Sequence, residues 1–152
     1  MQRGLLLWQE IRKHGLNCLG GIPVSVFNWE RREEERRLIE KEVGRLVSQG
    51  LSPNRIIILS PNIKEKSSLN GVNKIKEWPL IDLKEDEGYG IKFSTIRSFK
   101  GLEADVVLLI GIMDNNKACT PQDIYVGASR ARFLLYVFGE KQVLSKITGS
   151  HR

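Results

Sequence analysis

The sequence predicts an α/β fold built on a mainly parallel sheet. Three observations lead there. Short apolar runs alternate with stretches of helical periodicity along the whole chain. One run, Asp105 to Ile112 (DVVLLIGI), shows no polar–apolar alternation, as expected of a central parallel strand covered on both faces. After it comes Thr120-Pro121-Gln122-Asp123, a helix start with Thr at the N-cap, Pro at N1 and an acid at N3.

Each element can be justified in order. Gln2 to Lys13 puts Leu5, Trp8 and Ile11 at helical spacing, with His14-Gly15 as the stop. Ile22 to Trp29 follows the Gly20-Gly21 turn and alternates Val24, Val26 and Trp29 with smaller or polar neighbours, a strand pattern. Arg31 to Gln49 is the clearest helix. Ile39, Val43, Leu46 and Val47 fall at i, i+4, i+7 and i+8, and Gly50 ends it with Pro53 beyond. Its opening charges, Glu30 to Arg37, are of mixed sign and pair Glu33 with Arg37 at i,i+4, which marks a solvated helix face rather than a nucleic-acid patch. Arg55 to Ser60 is a short apolar strand. Pro61 to Lys76 is a polar loop with at most a short helix, Pro79 to Leu83 an edge strand, Asp82 to Gly90 an acidic turn and Ile91 to Ile96 a further strand. The Pro121 helix is expected to run to about Arg132, followed by a buried strand over Phe133 to Phe138 and a closing helix over Glu140 to Ile147.

Composition bounds the function. At 152 residues, with 41% hydrophobic, the chain suits one domain with its own core. We divide it into an N-terminal segment (1–21), a domain (22–148) and a tail (149–152). Cys18 and Cys119 form no CxxC pair, which argues against a zinc ribbon or a disulfide framework. The longest apolar run falls far short of the ~20 residues of a membrane span. A soluble protein of a reducing compartment, the cytoplasm, is expected. The net charge of +6 permits nucleic-acid binding without establishing it.

Two polar constellations interrupt the apolar framework. The first, Thr95 to Glu103 (TIRSFKGLE), lies between two strands. Thr95, Arg97, Ser98 and Lys100 supply donors suited to phosphate oxygens, Gly101 permits close backbone approach, and Glu103 is an acceptor for ribose hydroxyls. Ligands of open α/β sheets bind at the carboxyl ends of strands, where this loop is expected to sit. The second, Tyr125 to Arg132 (YVGASRAR), lies on the Pro121 helix, with Ile124, Ala128 and Ala131 on the buried face and Arg130 at its flank.

Together the segments T-I-x-S-F-K-G-L-E-x-D-V-V and Y-V-x-A-S-R-A-R resemble motifs V and VI of UvrD/RecB-type superfamily 1 helicases. The resemblance covers roughly residues 22 to 148 and implies the second of two RecA-like domains, a three-layer fold with helices on both faces of the sheet. It also implies roles. Arg130 matches the arginine finger that reaches the γ-phosphate of ATP held by the other motor domain. Glu103 matches the glutamate at the nucleotide sugar, Gly101 the glycine beside it, and Lys100 a position between nucleotide and DNA. Thr95, Arg97 and Ser98 fall on the single-stranded DNA side of motif V. Phe99 and Trp78 are stacking candidates, Phe99 being better suited to the core.

The sequence also departs from the family pattern. Arg97 stands where most members carry His, and the motif IV arginine has no counterpart after Arg55 to Ser60. No G-x-x-x-x-G-K-[ST] occurs, and Glu85-Asp86-Glu87 follows no apolar strand, so Walker A and Walker B are absent. The resemblance therefore implies ATP and Mg2+ only in a complete helicase, with a separate Walker-A domain and single-stranded DNA as partners and no membrane. The chain alone is expected neither to bind these cofactors tightly, nor to hydrolyse ATP, nor to unwind DNA. The competing reading is a non-catalytic nucleic-acid or protein binding module that keeps the fold. A free-standing enzyme is poorly supported, since neither His14 nor His151 lies near a nucleophile signal.

Overall fold

The computed structural model describes residues 18–19, 22–85, 88–114 and 119–148. Eight strands form one sheet: β1 (Cys18–Leu19), β2 (Ile22–Trp29), β3 (Ile56–Ser60), β4 (Lys74–Ile75), β5 (Trp78–Asp82), β6 (Ile91–Thr95), β7 (Ala104–Ile112) and β8 (Ala131–Glu140). Their spatial order is β1-β2-β8-β7-β3-β6-β5-β4. The inner six run parallel. The two-residue strands β1 and β4 pair antiparallel at the flanks. Among the described residues three α-helices join them: α1 (Glu33–Ser48), α2 (Pro121–Ala128) and α3 (Lys141–Thr148). The α/β class and the RecA-like layering expected from the sequence are both present.

Strand alternation divides the core in two. Ile57, Leu59, Val107, Leu109, Leu135 and Val137 point to one face, under Ile124 and Ala128 of α2 and Leu144 of α3. Ile56, Ile58, Val106, Leu108, Tyr136 and Phe138 point to the other, under Ile39, Val43 and Leu46 of α1. The run that lacked alternation is thus a strand with both faces buried, as β7 lies between β8 and β3 at the centre of the sheet.

Several expectations change. The N-terminal helix lies outside the described residues. The polar loop after β3 holds a 3-10 turn at Lys64–Lys66 and also the strand β4, so β5 is not the last strand of the sheet. α2 stops at Ala128, and β8 begins at Ala131, earlier than expected. The opening of α1 is not wholly solvated, because Glu35 is buried to 1% exposure. Glu34, not a Glu33–Arg37 pair, organises the helix entry: its Oε1 accepts from Arg31 N at 2.8 Å and Glu30 N at 3.2 Å. The Arg31 backbone bond above all holds this carboxyl below its ordinary value.

The α2 entry is built as its sequence implied. Thr120 Oγ1 accepts from Asp123 N at 3.1 Å, and Asp123 Oδ2 accepts from Thr120 N at 3.3 Å, a reciprocal capping box. Gly127 then lets α2 lie against the sheet, since a Cβ there would stand 2.9 Å from Leu109 Cδ1 and 3.3 Å from Ile96 Cδ1. Both contacts are the far ends of flexible side chains. Gly127→Ala is therefore expected to be near neutral, its strain offset by about 1 kcal/mol of helix propensity. Gly127→Val is expected to lower stability by roughly 1–3 kcal/mol through overpacking, read from urea unfolding midpoints.

Candidate functional site

The crossover between β6 and β7 decides where the first constellation goes. Both strands run parallel to β3, so Thr95 stands at the carboxyl edge of the sheet and Ala104 at the amino edge. Residues 96–103 must return the chain along the length of a strand, roughly 15–20 Å for a five-residue element. Ile96 N donates to Ser60 O at 2.9 Å, Ser98 N to Thr95 Oγ1 at 3.1 Å and Leu102 N to Phe99 O at 3.1 Å, giving a chain of tight turns. Gly101 sits at φ +82° with open space around it, so its backbone conformation is what favours glycine there.

The constellation is therefore not one site at the carboxyl edge. Thr95 and Ser98 line a cleft of about 260 Å3 at the carboxyl edge, together with Ile63, Asp82, Lys84 and Phe93. Glu103 lines a second cavity of about 300 Å3, shared with Arg55, Leu83, Lys92 and Asp105 near the strands' amino ends. Arg97 and Lys100 are exposed on the crossover between. Phe99 is buried at 4% exposure in the core beneath, which removes it as a stacking surface. Trp78 is half-buried at the amino end of β5, packed on the opposite core layer, and so stands away from Thr95.

Arg130 joins the amino-edge group. It is not on α2, as expected, but in the two-residue turn between α2 and β8. Its backbone N donates to Gly127 O at 3.2 Å, and its carbonyl accepts from Ala104 N at 3.0 Å, which ties it beside Glu103. Its Nε is the one buried side-chain nitrogen or oxygen among the described residues without a hydrogen-bond partner. No carboxylate among them pairs with it. Of the carboxylates at this edge, Asp105 pairs with Arg55 and lies 3.8 Å from Arg132 Nε. A β-bulge sits here too, with Ala104 and Val106 of β7 opposite Ala131 and Leu134 of β8. The extra residue leaves Arg132 and Phe133 both exposed, the guanidinium 5.5 Å from the ring centroid.

One polar cluster escaped the sequence reading. Glu35 accepts from Trp29 Nε1 at 2.7 Å, Ser68 Oγ at 2.6 Å and Gly111 N at 2.9 Å. It thereby ties the ends of β2 and β7 to the loop after β3. Burial pushes its carboxyl above the ordinary value, outweighing these hydrogen bonds. The signal was present, because extending the Ile39–Val43–Leu46 stripe back one turn lands on Glu35.

No three His, Cys, Asp or Glu side chains among the described residues are grouped to hold a metal ion. Burial pushes the half-buried Cys119 thiol up to about 11, which leaves it a poor nucleophile at neutral pH.

No protein-family model matches the chain. A Schizosaccharomyces pombe protein, the helicase required for RNAi-mediated heterochromatin assembly 1, is 28% identical over 106 residues, 66% of this chain. The chain spans 10% of the length of that curated relative. Among solved structures, the C-terminal domain of a possible DNA helicase from Lactobacillus plantarum WCFS1 superposes with a TM-score of 0.59 at 18% identity, covering 92% of this chain and 85% of that one. The chain shares the fold of that C-terminal domain. The C-terminal part of the Fun30 ATPase domain shares it more distantly, with a TM-score of 0.51 at 14% identity over 78% of this chain and 45% of that one. No helix among the described residues is long and apolar enough to cross a membrane.

Proposed function

We propose that this chain is the C-terminal motor domain of an ATP-dependent DNA helicase of UvrD/RecB type. It works in the cytoplasm against a separate Walker-A domain. The observation that carries this reading is Arg130, whose buried Nε has no partner and stands on the same edge as Glu103.

These residues suit a nucleotide presented from outside the chain. A guanidinium with no partner, carried on a backbone fixed by two hydrogen bonds, is available to neutralise charge that builds on a phosphoryl group. Glu103, exposed and one residue from the Ala104–Arg130 bond, is placed to accept from sugar hydroxyls. Gly101 keeps the approaching surface free of a side chain. The nucleotide, held with Mg2+ by the Walker-A domain, brings the phosphoanhydride whose hydrolysis is the energy source. Thr95, Arg97 and Ser98 hold single-stranded DNA at the other end of the crossover, and Lys100 lies between. A chain of tight turns that touches both edges is suited to passing movement from one to the other.

The DNA half is testable on the chain alone by fluorescence anisotropy with a labelled single-stranded oligonucleotide. Affinity is expected to fall with salt, and Arg97→Ala to reduce the log–log slope by about 0.7, one phosphate contact on a single strand. Absence of binding at low salt would remove DNA from the reading. Binding that is indifferent to ATP and to a Walker-A-bearing segment would favour a non-catalytic module.

A further inference from the structure

The carboxyl-edge cleft has the wrong charge for a phosphate site. Beside the Thr95 and Ser98 hydroxyls it is lined by three carboxylates, Glu65, Asp82 and Glu85, against one lysine, Lys84. A phosphodiester entering it meets net repulsion, whereas Arg97 and Lys100 lie exposed just beyond on the crossover. A strand running past Thr95 therefore leaves its phosphates on these two cations and has only a base to place in the cleft.

The cleft's size and lining suit that group. Its volume of about 260 Å3 accommodates one planar base. Phe93 is buried beneath, and Ile63, 45% exposed, adds apolar surface. Asp82 is the best fixed of the carboxylates: it ends β5 in register with Phe93, and its Oδ1 accepts from Lys84 N at 3.0 Å. Thr95 Oγ1 already accepts from Ser98 N, so its own proton remains to be donated.

Resting on the DNA reading above, we propose that this cleft takes a nucleobase bearing an exocyclic amine, cytosine above all, with Asp82 as the specificity-determining residue. Carboxylates accept from the N4 amine of cytosine, and the Thr95 and Ser98 hydroxyls donate to its N3 and O2. Thymine presents carbonyl oxygens on both sides of its single N–H, and these face the carboxylates unfavourably.

The test is anisotropy of the full chain with labelled twelve-residue oligo-dC and oligo-dT at one salt concentration. Oligo-dC is expected to bind roughly tenfold tighter, the scale of one good base contact. Asp82→Asn keeps an oxygen for Lys84 N and offers an amide donor, so it should weaken oligo-dC and strengthen oligo-dT until the preference is lost. Glu85→Gln, at an exposed position, gives the same shift on a smaller scale. Equal wild-type affinities, or Asp82→Asn raising both by one factor, would overturn the proposal while leaving DNA binding in place. Failure to bind either strand sinks the DNA reading as well.

Discussion

If the proposed function holds, Arg130→Ala is expected to lower ATP hydrolysis by a complex with a Walker-A domain by about 1,000-fold or more, the range seen when an arginine finger is removed. The reason is geometric. The Arg130 backbone is fixed on both sides by Gly127 and Ala104, and its Nε has no competing partner to draw it away. Arg130→Lys is expected to recover little, because a compact ammonium lacks the planar fork that spans two phosphate oxygens. Both variants should bind single-stranded DNA as the wild type does, since the ends of the crossover proposed for nucleotide and for DNA lie on opposite edges. Steady-state turnover beside DNA anisotropy separates the two. Equal turnover for Arg130→Ala and wild type would end the finger assignment.

Glu35→Ala carries the largest expected effect on stability. It orphans the buried donor Trp29 Nε1 and the half-buried Gly111 N, at about 1–3 kcal/mol each, and leaves a cavity; a loss of roughly 3–5 kcal/mol follows. Glu35→Gln preserves the acceptor oxygen and is expected to remain close to wild type. The pair differs in pH dependence. Burial raises the folded-state carboxyl above its ordinary value of 4.5. Below pH 4.5 it is protonated in both states and contributes no difference. As pH climbs above 4.5 the unfolded chain ionises first, so the native protein loses stability until its own Glu35 ionises. Urea midpoints at pH 4.5 and 7.5 should show Glu35→Gln gaining on the wild type with rising pH. A constant gap between them would mean the carboxyl is not held up by burial.

The sheet was legible because its strands are apolar on both faces and its helices carry a single stripe. Val106 to Ile110 and Ile39–Val43–Leu46 need no tertiary knowledge to be read. Flanking strands such as Lys74–Ile75 were not legible, because two paired residues leave no periodic signal. The α2 boundary was misplaced by the helix-favouring Ser129-Arg130-Ala131-Arg132 stretch, where pairing of Ala131 with Ala104 overrides local propensity. The residues of the candidate site were visible as two motifs, but their separation was not. A sequence shows that Thr95 and Glu103 are close in the chain. Only the parallel arrangement of β6 and β7 sends them to opposite edges. Glu35 shows the reverse failure, a charged residue on an apolar stripe assigned to solvent by its chemistry rather than its position.

The two-residue strands that flank the sheet have a consequence for how the domain meets other molecules. Long, bare strands at a sheet's margin invite further strands to add on, in aggregation or in domain exchange. Here each margin of the described sheet offers a strand only two residues long, β1 on one side and β4 on the other. They cover their neighbours only in part: β1 pairs Ile22 and Pro23 of β2 and β4 pairs Trp78 and Pro79 of β5, so among the described residues no strand lies along the outer side of Val24–Trp29. Among the described residues the margin open to an added strand is therefore β2 rather than β1 or β4, while exposed Arg97, Lys100, Glu103 and Phe133 are displayed away from it, on the crossover and on β8.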